Sequence, residues 1–344
     1  MGSAGKIIRA ALHAFFRHYH PSSSAASLLA LPFSAAALLA RSHPALLGPA
    51  HLLSRRLRRV LVAAGFPPAS QLLFLLSHRL SQRACAFLAS LPFSLTFLLL
   101  AKACAVHHCC GSSSPPVRPQ RQWRRGAPAI AIGEMVRSSF PAMARTELAN
   151  CLALLLANAA VFAALLAAFN AAAALGLLGP TTTASFSSTS FSTSGDRAVL
   201  ALSAAGVIVY SVAMANAAAA CNLATVVAAV EGGNGGGARA VLKAALMLLR
   251  AGDAATAVAA SLPVSLAAAA VEALFQLRVA RPCAASGGRV TAGMIVEGVL
   301  VAYIHAMICV LDTVVSSMVY QRCKASRSCE LLELELEGKE DTRV

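Results

Sequence analysis

Three ionisable residues sit inside the last apolar run of the 344-residue chain: Glu297, His305 and Asp312. They are eight and seven residues apart. At ~100° per residue, this spacing places them within roughly 80° of one helix face. Titratable groups inside an apolar span are costly, and they line a cavity or pair across helices. The chemistry on offer is a proton or ion path, with Glu272 of the preceding run as a partner. The competing reading is an interhelical polar seam. In it, Glu297 lies near one end among headgroups, while His305 and Asp312 bond neighbouring helices. The seam is the simpler of the two.

Other clusters carry less. Cys104, His107, His108, Cys109 and Cys110 are soft metal ligands in one short segment. Zinc needs four ligands that converge, which adjacent residues achieve poorly. Palmitate on Cys104, Cys109 and Cys110 is a better use of juxtamembrane thiols, and plain unmodified cysteines are the simplest reading. Of the ten cysteines, Cys85, Cys151, Cys221 and Cys309 lie inside apolar runs and behave as small hydrophobes. No CxxC pair occurs, so neither a zinc ribbon nor a redox motif is indicated. The turn Gly232–Gly237, with Arg239 and Lys243, lacks the Gly-Lys-Ser/Thr ending of a phosphate loop and follows a helix. Neither HExxH nor GxSxG is present. Asn150, Asn158, Asn170, Asn216 and Asn222 read as interhelical hydrogen-bonding groups. No catalytic residue, metal or cofactor is therefore expected.

The elements that position these residues are apolar helices. Charged residues make up 12% of the chain, against ~25% in a soluble domain. Hydrophobic residues reach 58% and the mean hydropathy is +0.68. Alanine contributes much of this and is only weakly apolar, so several spans insert by a thin margin. From Ala198 to Val230 there is no charge. As a helix that run covers about 50 Å, more than the ~30 Å of bilayer hydrocarbon.

The expected fold is all-α: a polytopic helical membrane protein of about six transmembrane helices. The spans are placed at about 22–40, 84–106, 148–174, 198–223, 254–276 and 292–319. A basic interfacial or targeting segment (1–20) precedes the membrane domain (21–319). A Ser/Pro/Arg-rich linker (107–140) interrupts that domain, and a charged tail (320–344) follows it.

The net charge of +15 is unevenly placed. Residues 1–145 hold 17 Lys/Arg and one acid, Glu134, whereas residues 146–344 hold 12 Lys/Arg and 13 acids. The bilayer is the expected partner, anionic headgroups in particular, alongside an unidentified protein. Nucleic acid is not expected, because Trp123 is the only aromatic among residues 102–139 and the basic residues flank apolar spans. The amphipathic segment Ala238–Arg250 offers Arg239, Lys243 and Arg250 for lipid contact. Its apolar contact area comes from Ala240, Val241, Ala244, Leu246, Leu248 and Leu249. With six spans both termini share one side, and the basic loops make that side cytosolic. The seven arginines of 41–83 oppose this arrangement.

Residues 1–20 carry Ile7, Ile8, Leu12, Phe15 and Phe16 on one side, with Lys6, Arg9 and Arg17, which suits an interfacial helix. An organelle transit peptide is the alternative, since no acid precedes Glu134. A cleaved signal peptide rivals the first span. The start MGSAGK fails the myristoylation pattern. An endomembrane or plasma-membrane location is expected ahead of an organelle reached by transit peptide.

The stretch Cys221–Glu231, the glycine turn and Ala238–Arg250 resemble a family of uncharacterised plant multi-pass membrane proteins. In that family a span ends LAxVVxxxE and leads into a cytosolic basic helix. The ending Met318-Val-Tyr-Gln-Arg-Cys-Lys324 and the block LPFSLTFLLLAKA (91–103) are similar to corresponding parts of it. The long Ser/Pro/Arg insert, the alanine content and the Gly-Gly-Gly turn depart from it. The resemblance implies a helical membrane fold and no activity. The expected function is a non-catalytic membrane scaffold or interaction protein. A transporter or channel using the ionisable residues of the last span is the alternative, and an enzyme comes third.

Overall fold

The computed structural model describes residues 3–17, 24–42, 54–56, 59, 85–111, 128–174, 194–231, 236–250, 254–287 and 289–341. Most of the arginine-rich 41–83 stretch, residues 112–127 of the linker and the Thr/Ser/Phe loop up to residue 193 lie outside them. So do the side chains of Arg250 and of the tail acids.

The described residues are helical, with no strand among them. Helix α1 spans Ser3–Arg17 and α2 spans Ser24–Ser42. Helix α3 covers Cys85–His107 and runs on to Gly111. It contains a π-helical turn at Ser94–Leu98, where the Thr96 hydroxyl donates to the Pro92 carbonyl at 2.7 Å. Helix α4 is Pro128–Ala174, α5 is Ser194–Glu231 and α6 is Ala238–Arg250. Helix α7 starts at Ala254 and passes through a π turn, Gln276–Ala280, to Ala285. Helix α8, Ala292–Asp341, is the longest.

Among the described residues, five segments are long and apolar enough to cross a membrane: Cys85–His107, Ser139–Leu165, Ala204–Glu231, Ala254–Ala285 and Ala292–Ser326. Helix α2 has a shorter apolar stretch, Ala26–Ser42. Its 19 residues extend about 28 Å, close to the bilayer hydrocarbon thickness. The described helices enclose two buried clusters. Ala26 and Ala30 of α2 belong to the first cluster and Leu38 to the second. Helix α7 divides likewise, with Ala257 and Ala260 in the first and Val271 and Phe275 in the second. Helix α2 therefore touches both clusters; it packs against α8 and α3 and meets α7 through Arg41–Glu272 and Ser42–Gln276.

Helix α8 is the central member and packs against α1, α2, α3, α5 and α7. Its small and β-branched residues Ala306, Val310, Val314 and Val315 fill the first cluster. The outer faces of α4 and α5 are apolar and uncovered at Leu152, Leu155, Leu156, Val207, Ile208 and Val212. Such surfaces suit lipid tails.

Two expectations need correction. The linker is shorter than 107–140, because α4 begins at Pro128; proline fits a helix start, where its missing N–H is not needed. Helix α6 does not turn all its apolar residues outward. Ala240, Ala244 and Leu248 recur every four residues and are buried in the first cluster, because Gly237 ties the start of the helix to Thr146 of α4. Leu242, Leu246 and Leu249 face outward instead. Helix α1 is divided in the same way: Ile7, Ala11 and Phe15 are buried, and Leu12 and Phe16 are exposed.

Candidate functional site

The polar residues of α8 do not form one continuous path. Glu297 is exposed near the start of the helix and makes no ion pair with a described residue. His305 and Asp312 are both embedded, but they face different neighbours.

His305 belongs to a cluster joining α2, α7 and α8. Its Nδ1 lies 3.1 Å from the Ser34 hydroxyl, and its Nε2 lies 4.0 Å from Glu272 Oε1. Glu272 is also paired with Arg41 at the end of α2. One turn further on, Gln276 Nε2 donates to the Ser42 hydroxyl at 3.0 Å. Ser34, His305 and Glu272 stand in the order of nucleophile, base and orienting acid. Ser34, however, has no exposed surface. The arrangement bonds three helices together.

Asp312 belongs to a second cluster, built by α3, α4, α5 and α8. Asn222 Nδ2 donates to Asp312 Oδ2 at 3.0 Å. Beside them is Lys102 on α3, whose Nζ is 3.8 Å from Glu147 Oε2 on α4. One turn along α4, Asn150 Nδ2 donates to the Cys221 carbonyl at 3.0 Å and to Thr225 Oγ1 at 3.1 Å. Its Oδ1 is buried with no partner among the described residues. Lys102, Asn222, Thr225, Val226, Asp312, Thr313 and Ser316 line a cavity of about 10 Å³, room for one water-sized species.

Sequence reasoning named Asp312, Asn150 and Asn222 but missed Lys102 and Glu147. The signal was present: Lys102 is the only charge in the run from Ala84 to Val106, and an intramembrane lysine asks for a partner.

Beside the first cluster, Lys243 of α6 pairs with Glu231 at 2.5 Å instead of standing free, and Arg239 is exposed. Gly237, at φ 76°, starts α6, and its N–H donates to Thr146 Oγ1 at 2.8 Å. Thr146 is fully buried and donates in turn to the Ala142 carbonyl at 2.8 Å. This ties α6 to α4.

Cys104, Cys109 and Cys110 are half-buried and pack on the first cluster. Gln321 Nε2 donates to the Cys109 carbonyl at 3.2 Å. Burial, reinforced by neighbouring Cys110, pushes the Cys109 thiol up to about 11. Burial also raises Cys110, against a lowering from Gln321 and Lys324. Neutral thiols are poor nucleophiles. No group of three or more His, Cys, Asp or Glu able to hold a metal occurs among the described residues.

Long apolar helices joined by buried polar pairs define a polytopic helical membrane protein. Residues 152–337 match a family described as a domain of unknown function, DUF8558, and the chain belongs to that family. The match contains Asn222, Thr225, Glu272, His305 and Asp312, whereas Ser34, Lys102, Glu147 and Asn150 precede it. No curated protein and no solved structure matches the chain.

Proposed function

We propose that the protein is a non-catalytic membrane scaffold that presents one cationic, amphipathic face to anionic lipid headgroups or to a protein partner. The observation that carries this reading is that α1 and α6 both pack on the first cluster. Each buries one stripe there (Ile7, Ala11 and Phe15 of α1; Ala240, Ala244 and Leu248 of α6) and turns leucines or phenylalanine outward. Lys6 and Arg239 are exposed on these helices and make no ion pair with a described residue. Each such cation near an anionic surface contributes ~1 kcal/mol, screened over about 8 Å. That is enough to bias helices already tethered to the bundle.

A probe attached at Leu249 of the full-length protein in nanodiscs tests the reading. Its fluorescence should be quenched by spin-labelled phosphatidylserine, more weakly at high salt and after Lys6→Gln with Arg239→Gln. Equal quenching by phosphatidylcholine would assign the contact to apolar burial and remove the anionic-lipid partner. We place the protein in the endomembrane system or plasma membrane, and a fluorescent fusion co-localising with an organelle reached by transit peptide would refute this.

A second reading, transport, has one specific observation in its favour: the Lys102–Asp312 cavity lies within the spans. Solute or proton flux in reconstituted vesicles, abolished by Asp312→Asn, would replace the scaffold reading. Absence of flux from the wild type would leave the scaffold standing.

A further inference from the structure

We propose that the cavity beside Asp312 is a binding site for one monovalent cation, an alkali ion or a proton. Three observations converge on it. The first is charge: Glu147, Lys102 and Asp312 sum to −1 when all are ionised, within spans where an uncompensated charge is expensive. One added positive charge restores neutrality.

The second is the lining. Asp312 brings a carboxylate, Asn222 a carboxamide oxygen, and Thr225, Thr313 and Ser316 bring hydroxyls. Hard oxygen donors of this kind suit a small alkali ion or the bonds around a protonated carboxyl. The donors come from only two helices, α5 and α8, so both can close on one ion.

The third is an unmet bond. Ser316 is 9% exposed, lines the cavity, and its hydroxyl has no hydrogen bond to a described residue. Thr313 and Thr225, by contrast, donate their protons to the carbonyls of Cys309 and Cys221 in the preceding turn. Thr313 keeps both lone pairs and Thr225, which already accepts from Asn150, keeps one to accept or coordinate. The cavity admits one water-sized species, which excludes a hydrated ion or an organic cation.

Other ionisable groups near Asp312 are few. Lys102 of α3 faces it across the cavity and Glu147 of α4 pairs with Lys102, while Cys309 lies one turn earlier on α8 itself. From α2 and α7, Arg41 and Glu272 engage His305, two turns before Asp312. The site differs from the lipid-facing surface of α1 and α6 and does not require that the protein transport anything.

Thermal unfolding of the full-length protein in detergent tests the proposal, with sodium, potassium and choline chloride compared at equal ionic strength and the pH then varied in choline. An alkali site predicts a midpoint several degrees higher in sodium or potassium than in choline. That gain should vanish in Asp312→Asn and shrink in Ser316→Ala. A proton site predicts no alkali dependence and a midpoint that rises as pH falls, because the folded state then takes up the proton preferentially. This rise should be absent in Asp312→Asn. Should that variant not fold, Ser316→Ala decides, since either response must weaken without the hydroxyl. A wild-type midpoint indifferent to both, or responses unchanged in the variants, overturns the proposal.

Discussion

Asn222 and Asp312 meet across 3.0 Å between α5 and α8, with the amide donating to the carboxylate. They are separated by 90 residues, and the part-buried bond joins the two helices. In Asn222→Ala with Asp312→Asn, a double-mutant cycle on detergent unfolding should return a coupling of about 0.6–2 kcal/mol, the range of interhelical bonds in membranes. Additive losses would mean that the two side chains do not interact.

Lys102 and Glu147 are each about 15% exposed, so removing one strands the other. Lys102→Met should cost on the order of 3 kcal/mol, and Lys102→Met with Glu147→Gln should cost less than that single change. A double variant as unstable as the sum of the two single ones would refute the pairing.

Gly236 has no room for a side chain. A Cβ there would lie 2.8 Å from the Ala142 carbonyl oxygen, backbone that has no flexible end to move. Gly236→Ala should therefore loosen α6 from α4, read as faster proteolysis between residues 231 and 238. Unchanged cleavage would show that the turn accommodates the methyl group.

Cys109 should react slowly with maleimides at neutral pH. Its thiol is raised to about 11 by burial and Cys110, so the reactive thiolate is scarce below that value. Labelling of the folded protein should climb as pH approaches 11. Rapid labelling at pH 7 would show an accessible, unshifted thiol.

Carbonate extraction should leave the protein in the pellet, given five helices long and apolar enough to span and an α2 that touches both clusters. Tags at both ends should be digested in sealed cytosol-out vesicles. A tag protected at one end only would remove α2, or another helix, from the set that crosses.

Much of the architecture was legible in the chain because membrane insertion is decided locally. A run such as Ala198–Val230 must form its hydrogen bonds internally, so composition and length specify a helix without reference to neighbours. The same holds for the cost of placing Asp312 or His305 in such a run, which marked them as needing partners. Who the partners are is a different matter. Glu297, His305 and Asp312 share a helical stripe, yet α2 and α7 cover His305, α5 covers Asp312, and Glu297 stays exposed. Spacing along one helix carries no information about which helix lies opposite each turn. For the same reason the sequence showed α6 to be amphipathic but not that Ala240, Ala244 and Leu248 would seat on the bundle. The contact of Gly237 with Thr146 fixes that orientation, and residues 91 positions apart meet only once α4, α5 and the turn have packed.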